Sequence, residues 1–117
     1  MTSHKEMRKL LSHWKRFVRE VAQGYEFSIY DFENDLSVRD KIETAKDSLE
    51  DDRPSGASLE KKISEIDDRY REISRPIDPP PWAYPSDNKE PGWWWFRIPQ
   101  RLQGELSRDI ERRQTQH

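Results

Sequence analysis

The sequence predicts an all-α fold: a compact bundle of four or five helices with a long Pro/Trp-rich loop before the last one. Three observations lead there. Apolar residues recur at three-and-four spacing over residues 3–23 and again over 58–75, the period of one helix face rather than of a strand. Pro and Gly cluster between the periodic stretches, where they break helices. The apolar fraction is only 32%, but it includes five Trp, four Tyr and four Phe, each able to bury about 150 to 250 Å². At 117 residues the chain fits a single domain, 1–117, with residues 76–98 as an ordered loop and 114–117 as a frayed tail. A mean hydropathy of -1.21 approaches that of chains that fail to collapse. Near-cancellation of 23 acids by 21 bases, and the ring-rich apolar minority, favour folding instead.

The first element carries the strongest pattern. Met7, Leu10, Leu11, Trp14, Phe17, Val18 and Val21 form one stripe, Ser3 with Glu6 matches a capping box, and Gly24 stands where a helix ends in a positive-φ residue. Residues 25–36 read two ways. Tyr25, Phe27 and Ile29 alternate as a strand does, whereas Tyr25, Ile29, Phe32 and Leu36 are spaced for a helix, and a helix from Ser28 is the expectation. Ser37 with Asp40 reads as a second cap, opening a further stripe of Val38, Ile42, Ala45 and Leu49 before an exposed connection at 50–56. Over 58–75, Leu59, Ile63, Ile66, Tyr70 and Ile73 alternate steps of four and three, a seam just over two heptads long. That is short for a free coiled coil, so packing against the first helix is expected, with homodimerisation the alternative.

Pro76 ends that helix, and Pro79-Pro80-Pro81 impose an extended course with no internal hydrogen bonds. Trp82, Tyr84 and the run Trp93-Trp94-Trp95-Phe96 are available to pin the loop. If residues 93–98 are extended, Trp94, Phe96 and Ile98 share a buried face. Trp93, Trp95 and Arg97 then share an outer one, with Arg97 stacked on Trp93 or Trp95. Pro99 suits the first turn of a last helix carrying Leu102, Leu106 and Ile110, with Arg112 and Arg113 near its negative end.

Composition excludes several chemistries. With no Cys there is no disulfide framework, thiolate metal site or cysteine nucleophile, a usage that fits a reducing cytosol. No stretch approaches the ~20 apolar residues of a membrane span, and residues 1–5 lack the apolar core of a signal peptide. The four glycines match neither dinucleotide nor P-loop spacing, and the serines lack the flanking glycines of a nucleophile elbow. An EF-hand opening at Asp31 would need Gly at Leu36 and Glu at Ile42. His13 falls off the apolar stripe, has no second ligand four residues away and reads as solvated. No metal site or cofactor is expected.

Three constellations remain. Asp31, Asp35 and Arg39 are spaced four apart, so a guanidinium bridging carboxylates on one helix face, a structural polar network, is the expectation. The enzymatic alternative uses Asp31, Asp35 or Glu33 as acid and base, but no third partner is evident. Packing into the core is the favoured reading of the tryptophan run, and Trp93, Trp95, Arg97 and Arg101 form the candidate patch for a protein or small-ligand contact, since Trp and Arg are frequent interface anchors. The same groups could stack single-stranded bases, but residues 76–98 hold two bases and three acids, which disfavours a phosphate backbone. Charge is also segregated: residues 1–24 hold six bases and two acids, residues 25–58 four bases and ten acids. The expectation is that these blocks complement each other within the fold, with a basic helix meeting an external acidic partner as the alternative.

The motifs Tyr30-Asp31-Phe32-x-Asn34-Asp35-Leu36 and Trp93-Trp94-Trp95-Phe96-Arg97-Ile98-Pro99 resemble those of a group of small bacterial proteins of unassigned function. The resemblance implies a bacterial cytoplasmic origin and carries over no catalytic residue. The expectation for function is therefore a non-enzymatic protein-binding module of the immunity, antitoxin or adaptor type. Its partner would be another protein or a second copy of itself, not a membrane, and nucleic acid would be the less favoured ligand.

Overall fold

Ser3 opens the first helix, α1 (His4–Gln23), by accepting the Glu6 N–H on its Oγ at 3.1 Å, as the capping pattern predicts. The structure is a computed structural model, and it describes residues 3–49, 55–85 and 90–114. Met7, Trp14, Phe17, Val18 and Val21 are buried along α1. Gly24 ends it at φ +107°, donating its N–H to Val21 O, and a Cβ there would lie 2.4 Å from the Gln103 side chain.

The next helix, α2 (Ile29–Leu49), runs unbroken, and this corrects the expected interruption at Ser37. Its cap is Ser28, whose Oγ accepts the Asp31 N–H at 3.1 Å while Asp31 Oδ2 accepts the Ser28 N–H at 3.2 Å. Ser37 lies inside the helix with its hydroxyl turned onto Asn34 O at 2.6 Å. The period of α2 is hard to read because it packs against α1, α4 and the tryptophan turn, so its apolar residues occupy more than one side.

Helix α3 (Ser55–Glu72) begins three residues before Ser58, and most of the expected 50–56 connection lies outside the described residues. It packs on α1, with Ile63 and Tyr70 buried in the common core. It ends before residues 74 and 75, because Pro76 forces the residue preceding it out of the helical region. Ser74–Pro76 become strand β1 and pair antiparallel with β2 (Arg97–Pro99), in the register Ser74 to Pro99 and Pro76 to Arg97. The fold is mostly helical, with this small ribbon as an addition to the expected bundle.

Between the strands, the Pro/Trp-rich loop is pinned from within, and its Asp78-Pro79 peptide bond is cis. Trp82 is buried, donates its indole N–H to Trp95 O at 3.0 Å and packs on Phe32 with ring centroids 4.7 Å apart. Tyr84 leans on Phe96. Trp93–Phe96 curl into a 3-10 turn instead of extending, which overturns the alternation of faces. Trp94 and Trp95 are both buried, at 5% and 3% exposure, while Trp93 and Phe96 are half-buried. Gly92 permits the curl, since a Cβ there would fall 2.2 Å from the Trp94 ring.

Pro99 is likewise not in a helix. It is buried in β2, and the last helix, α4 (Gly104–Gln114), starts five residues later, after a bridge between Leu102 and Tyr25. Leu106 and Ile110 are buried as expected, and Asp109 accepts the Ile29 N–H at 3.0 Å, so a side chain of α4 caps α2. Gln114, expected to open a frayed tail, is instead the last residue of α4, and residues 115–117 lie outside the described residues. Among the described residues no helix is long and apolar enough to cross a membrane.

Candidate functional site

The apolar arc of α1 is wider than one seam. Met7, Trp14, Phe17, Val18 and Val21 enter the core, and Leu11 and Ala22, on the flank toward α3, line with the buried Val18 a groove of about 630 Å³ between the two helices. Ile66 of α3 lines it from the other side. Leu11, Ala22 and Ile66 are half-buried, so the floor is apolar and reachable from solvent. Its rim carries Arg8, Lys15, Arg19, Lys62 and Arg69, all exposed, against the single acid Glu65. Arg69 is held by Glu72 at 3.0 Å. Among the described residues no carboxylate lies within ion-pair distance of Arg8, Lys15, Arg19 or Lys62. A further concavity lined by Lys5, Arg8, Lys9, Ser12, His13, Arg16 and Arg19 continues the positive surface around α1.

The basic excess of α1 therefore faces outward, which corrects the expectation that it complements the acidic second region within the fold. From α1 to α2, His13 Nε2 lies 2.8 Å from Asp35 Oδ1, within hydrogen-bond distance. His13 is 38% exposed and bonded rather than simply solvated.

The residues singled out in the sequence lie elsewhere and are largely occupied. Trp95 is not on an outer face: its indole N–H points at both oxygens of Asp40, 3.1 Å from each, and Trp94 donates to Asp40 Oδ1 at 3.0 Å. The guanidinium over Trp93 belongs to Arg71, 3.9 Å from the ring centroid, not to Arg97. Arg97 instead donates to Ser74 Oγ at 2.8 Å and to the carbonyls of Ser74 and Arg71, tying the ribbon to the end of α3. Arg101 is exposed and reaches Gln23 O at 3.3 Å. None of the four lines the groove between α1 and α3.

Asp31, Asp35 and Arg39 do not form one network either. Asp31 caps α2 with Ser28; Asp35 takes His13 and the Tyr25 hydroxyl, the latter at 2.7 Å. Arg39 pairs in the core with Asp67, Nε to Oδ1 at 3.0 Å and Nη2 to Oδ2 at 2.8 Å, and bonds Glu43 at 2.7 Å. Burial alone would lower the Arg39 pKa; the bonds to Asp67 and Glu43 outweigh it and hold the guanidinium above its ordinary value. Glu33 accepts the Ala83 N–H and the Arg113 guanidinium. Burial pushes the Tyr25 hydroxyl well above its ordinary pKa, reinforced by its bond to Asp35, and burial does the same for Tyr70. Among the described residues no cluster of three or more His, Cys, Asp or Glu is placed to hold a metal ion.

The apolar pattern alone does not reveal the groove, because Leu11 and Ala22 lie beside the same stripe as the core residues of α1. The signal in the sequence is the width of the α1 apolar arc and the basic residues Arg8, Lys15 and Arg19 beside it. No family model matches the chain, and neither a curated protein nor a solved structure does so.

Proposed function

We propose that this chain is a non-enzymatic protein-binding module of a bacterial cytoplasm, of the immunity, antitoxin or adaptor kind, with the α1–α3 groove as its docking surface. One observation carries the reading: the half-buried side chains of Leu11, Ala22 and Ile66, over the buried Val18, form an apolar floor under a rim where Arg8, Lys15, Arg19 and Lys62 have no carboxylate partner among the described residues. The carboxylates that an enzymatic reading would use support it from the other side, since Asp31, Glu33 and Asp35 each serve a cap, a loop or a helix contact. Stacking of bases on Trp95 is disfavoured by its burial.

Capture from native-host extract with the wild-type chain and with Ile66→Glu tests it. One stoichiometric protein should be recovered by the wild type and lost by the variant, whose helical circular dichroism is unchanged. Equal recovery by both, or recovery of nucleic acid alone, contradicts the reading.

A further inference from the structure

We propose that the occupant of the groove is an acidic amphipathic helix of about four turns. The inference rests on the reading of the α1–α3 groove as a docking surface and adds the chemistry of its partner.

Leu11, Lys15, Val18 and Ala22 follow one another at steps of four, three and four on α1, and Lys62, Ile66 and Arg69 at four and three on α3. Two parallel rows at that spacing leave the furrow into which the ridge of a third helix fits. From Arg8 to Ala22 the furrow runs about 21 Å, at about 1.5 Å per residue, which is the length of a helix of about 14 residues. An extended peptide fits worse. Both walls are helices whose backbone groups are already paired, so a strand laid there finds no edge to join and leaves its own N–H and C=O groups over an apolar floor. A helix satisfies those groups internally and offers apolar side chains at i, i+3/i+4 and i+7.

The rim fixes the charge of the flanks. Arg8, Lys15, Arg19 and Lys62 lack carboxylate partners among the described residues and stand on both sides of the floor. Acidic residues flanking the apolar face of the occupant would meet them, and basic ones would be repelled. Nucleic acid also meets the charge but not the floor: no ring lines the groove to stack a base, and the apolar side chains give a phosphate backbone nothing.

The test uses a labelled synthetic 16-residue peptide with leucines at i, i+3/i+4 and i+7 and glutamates on both flanks, titrated by fluorescence anisotropy against the full chain. Comparison probes are the same composition with the leucines scrambled, the peptide with lysine in place of glutamate, and a 16-nucleotide single strand. The glutamate peptide should bind at least tenfold tighter than each of the others and weaken as salt rises. The exposed changes Arg19→Glu with Lys62→Glu should weaken it at least tenfold and improve binding of the lysine peptide, with helical content unchanged. Equal binding of the scrambled peptide, tighter binding of the oligonucleotide, no binding of the glutamate peptide up to about 1 mM, or indifference to the charge reversal each overturns the proposal. If an Ile66-dependent host protein is captured while the glutamate peptide fails, the acidic helix is wrong and the docking surface stands. If both fail, both fall.

Discussion

The Arg39 guanidinium and the Asp67 carboxylate meet two-pronged in the core, at 3.0 and 2.8 Å, with the residues only 4% and 5% exposed. The same Asp67 Oδ1 accepts the Trp14 indole N–H at 3.0 Å, so one carboxylate joins α1, α2 and α3. Removing Arg39 strands that carboxylate away from water. Arg39→Ala is therefore expected to cost about 3 to 5 kcal/mol, whereas Glu43→Ala, on the half-exposed side of the same guanidinium, should cost less than about 1 kcal/mol. Urea unfolding of the two variants checks this, and similar midpoints would contradict it.

The tryptophan run divides by partner. Trp94 lies under the Arg39 guanidinium, 4.4 Å from its ring centroid, and shares Asp40 with Trp95, so both rings belong to the core. Trp94→Ala and Trp95→Ala should each cost about 3 to 5 kcal/mol. Trp93→Ala, which uncovers a half-buried ring beneath exposed Arg71, should cost clearly less in the same assay. Equal losses at all three positions would contradict the division.

Alkaline pH should unfold the protein through Tyr25 and Tyr70. Both are buried, and both hydroxyls titrate above the ordinary value of 10.0 in the folded chain. The unfolded chain gives up these protons first, so the stabilisation is intact below pH 10 and declines as pH rises beyond it. By about pH 11 each tyrosine should remove about 1.4 kcal/mol. Unfolding midpoints between pH 9 and 11 should fall less steeply for Tyr25→Phe and Tyr70→Phe than for the wild type. Parallel lines would exclude this origin.

The rim of the groove should be neutral to folding. Arg8, Lys15, Arg19 and Lys62 are exposed with no ion partner among the described residues, so replacing any one by Gln should shift stability by no more than about 0.5 kcal/mol. A loss beyond about 1.5 kcal/mol at any of them, read from thermal melts, would mark that residue as structural.

Local signals were legible in the sequence. Ser3, the α1 stripe, Gly24 and the Leu106 and Ile110 pair depend on neighbours within a turn or two, and periodicity reports such neighbours directly. Partners across helices were not. Arg39 was matched to Asp35, four residues away on the same helix, but the guanidinium turns inward to Asp67, which lies 28 residues along the chain. The curl at Trp93–Phe96 escaped for the same reason, because it is fixed by Asp40, more than fifty residues earlier, and by the ring of Trp94 lying over Gly92. Ser37 carried a capping pattern that the tertiary packing of α2 overrides. The groove went unread because an apolar arc on a helix does not say which part of it a neighbour covers.

Because the chain has no Cys, a single one can be placed at will. A photo-crosslinker attached at Ser12→Cys on the groove should join the captured partner, while the same reagent at Arg108→Cys, exposed on α4, should not. Crosslinking from position 108 alone, or equally from both positions, would contradict docking in the α1–α3 groove.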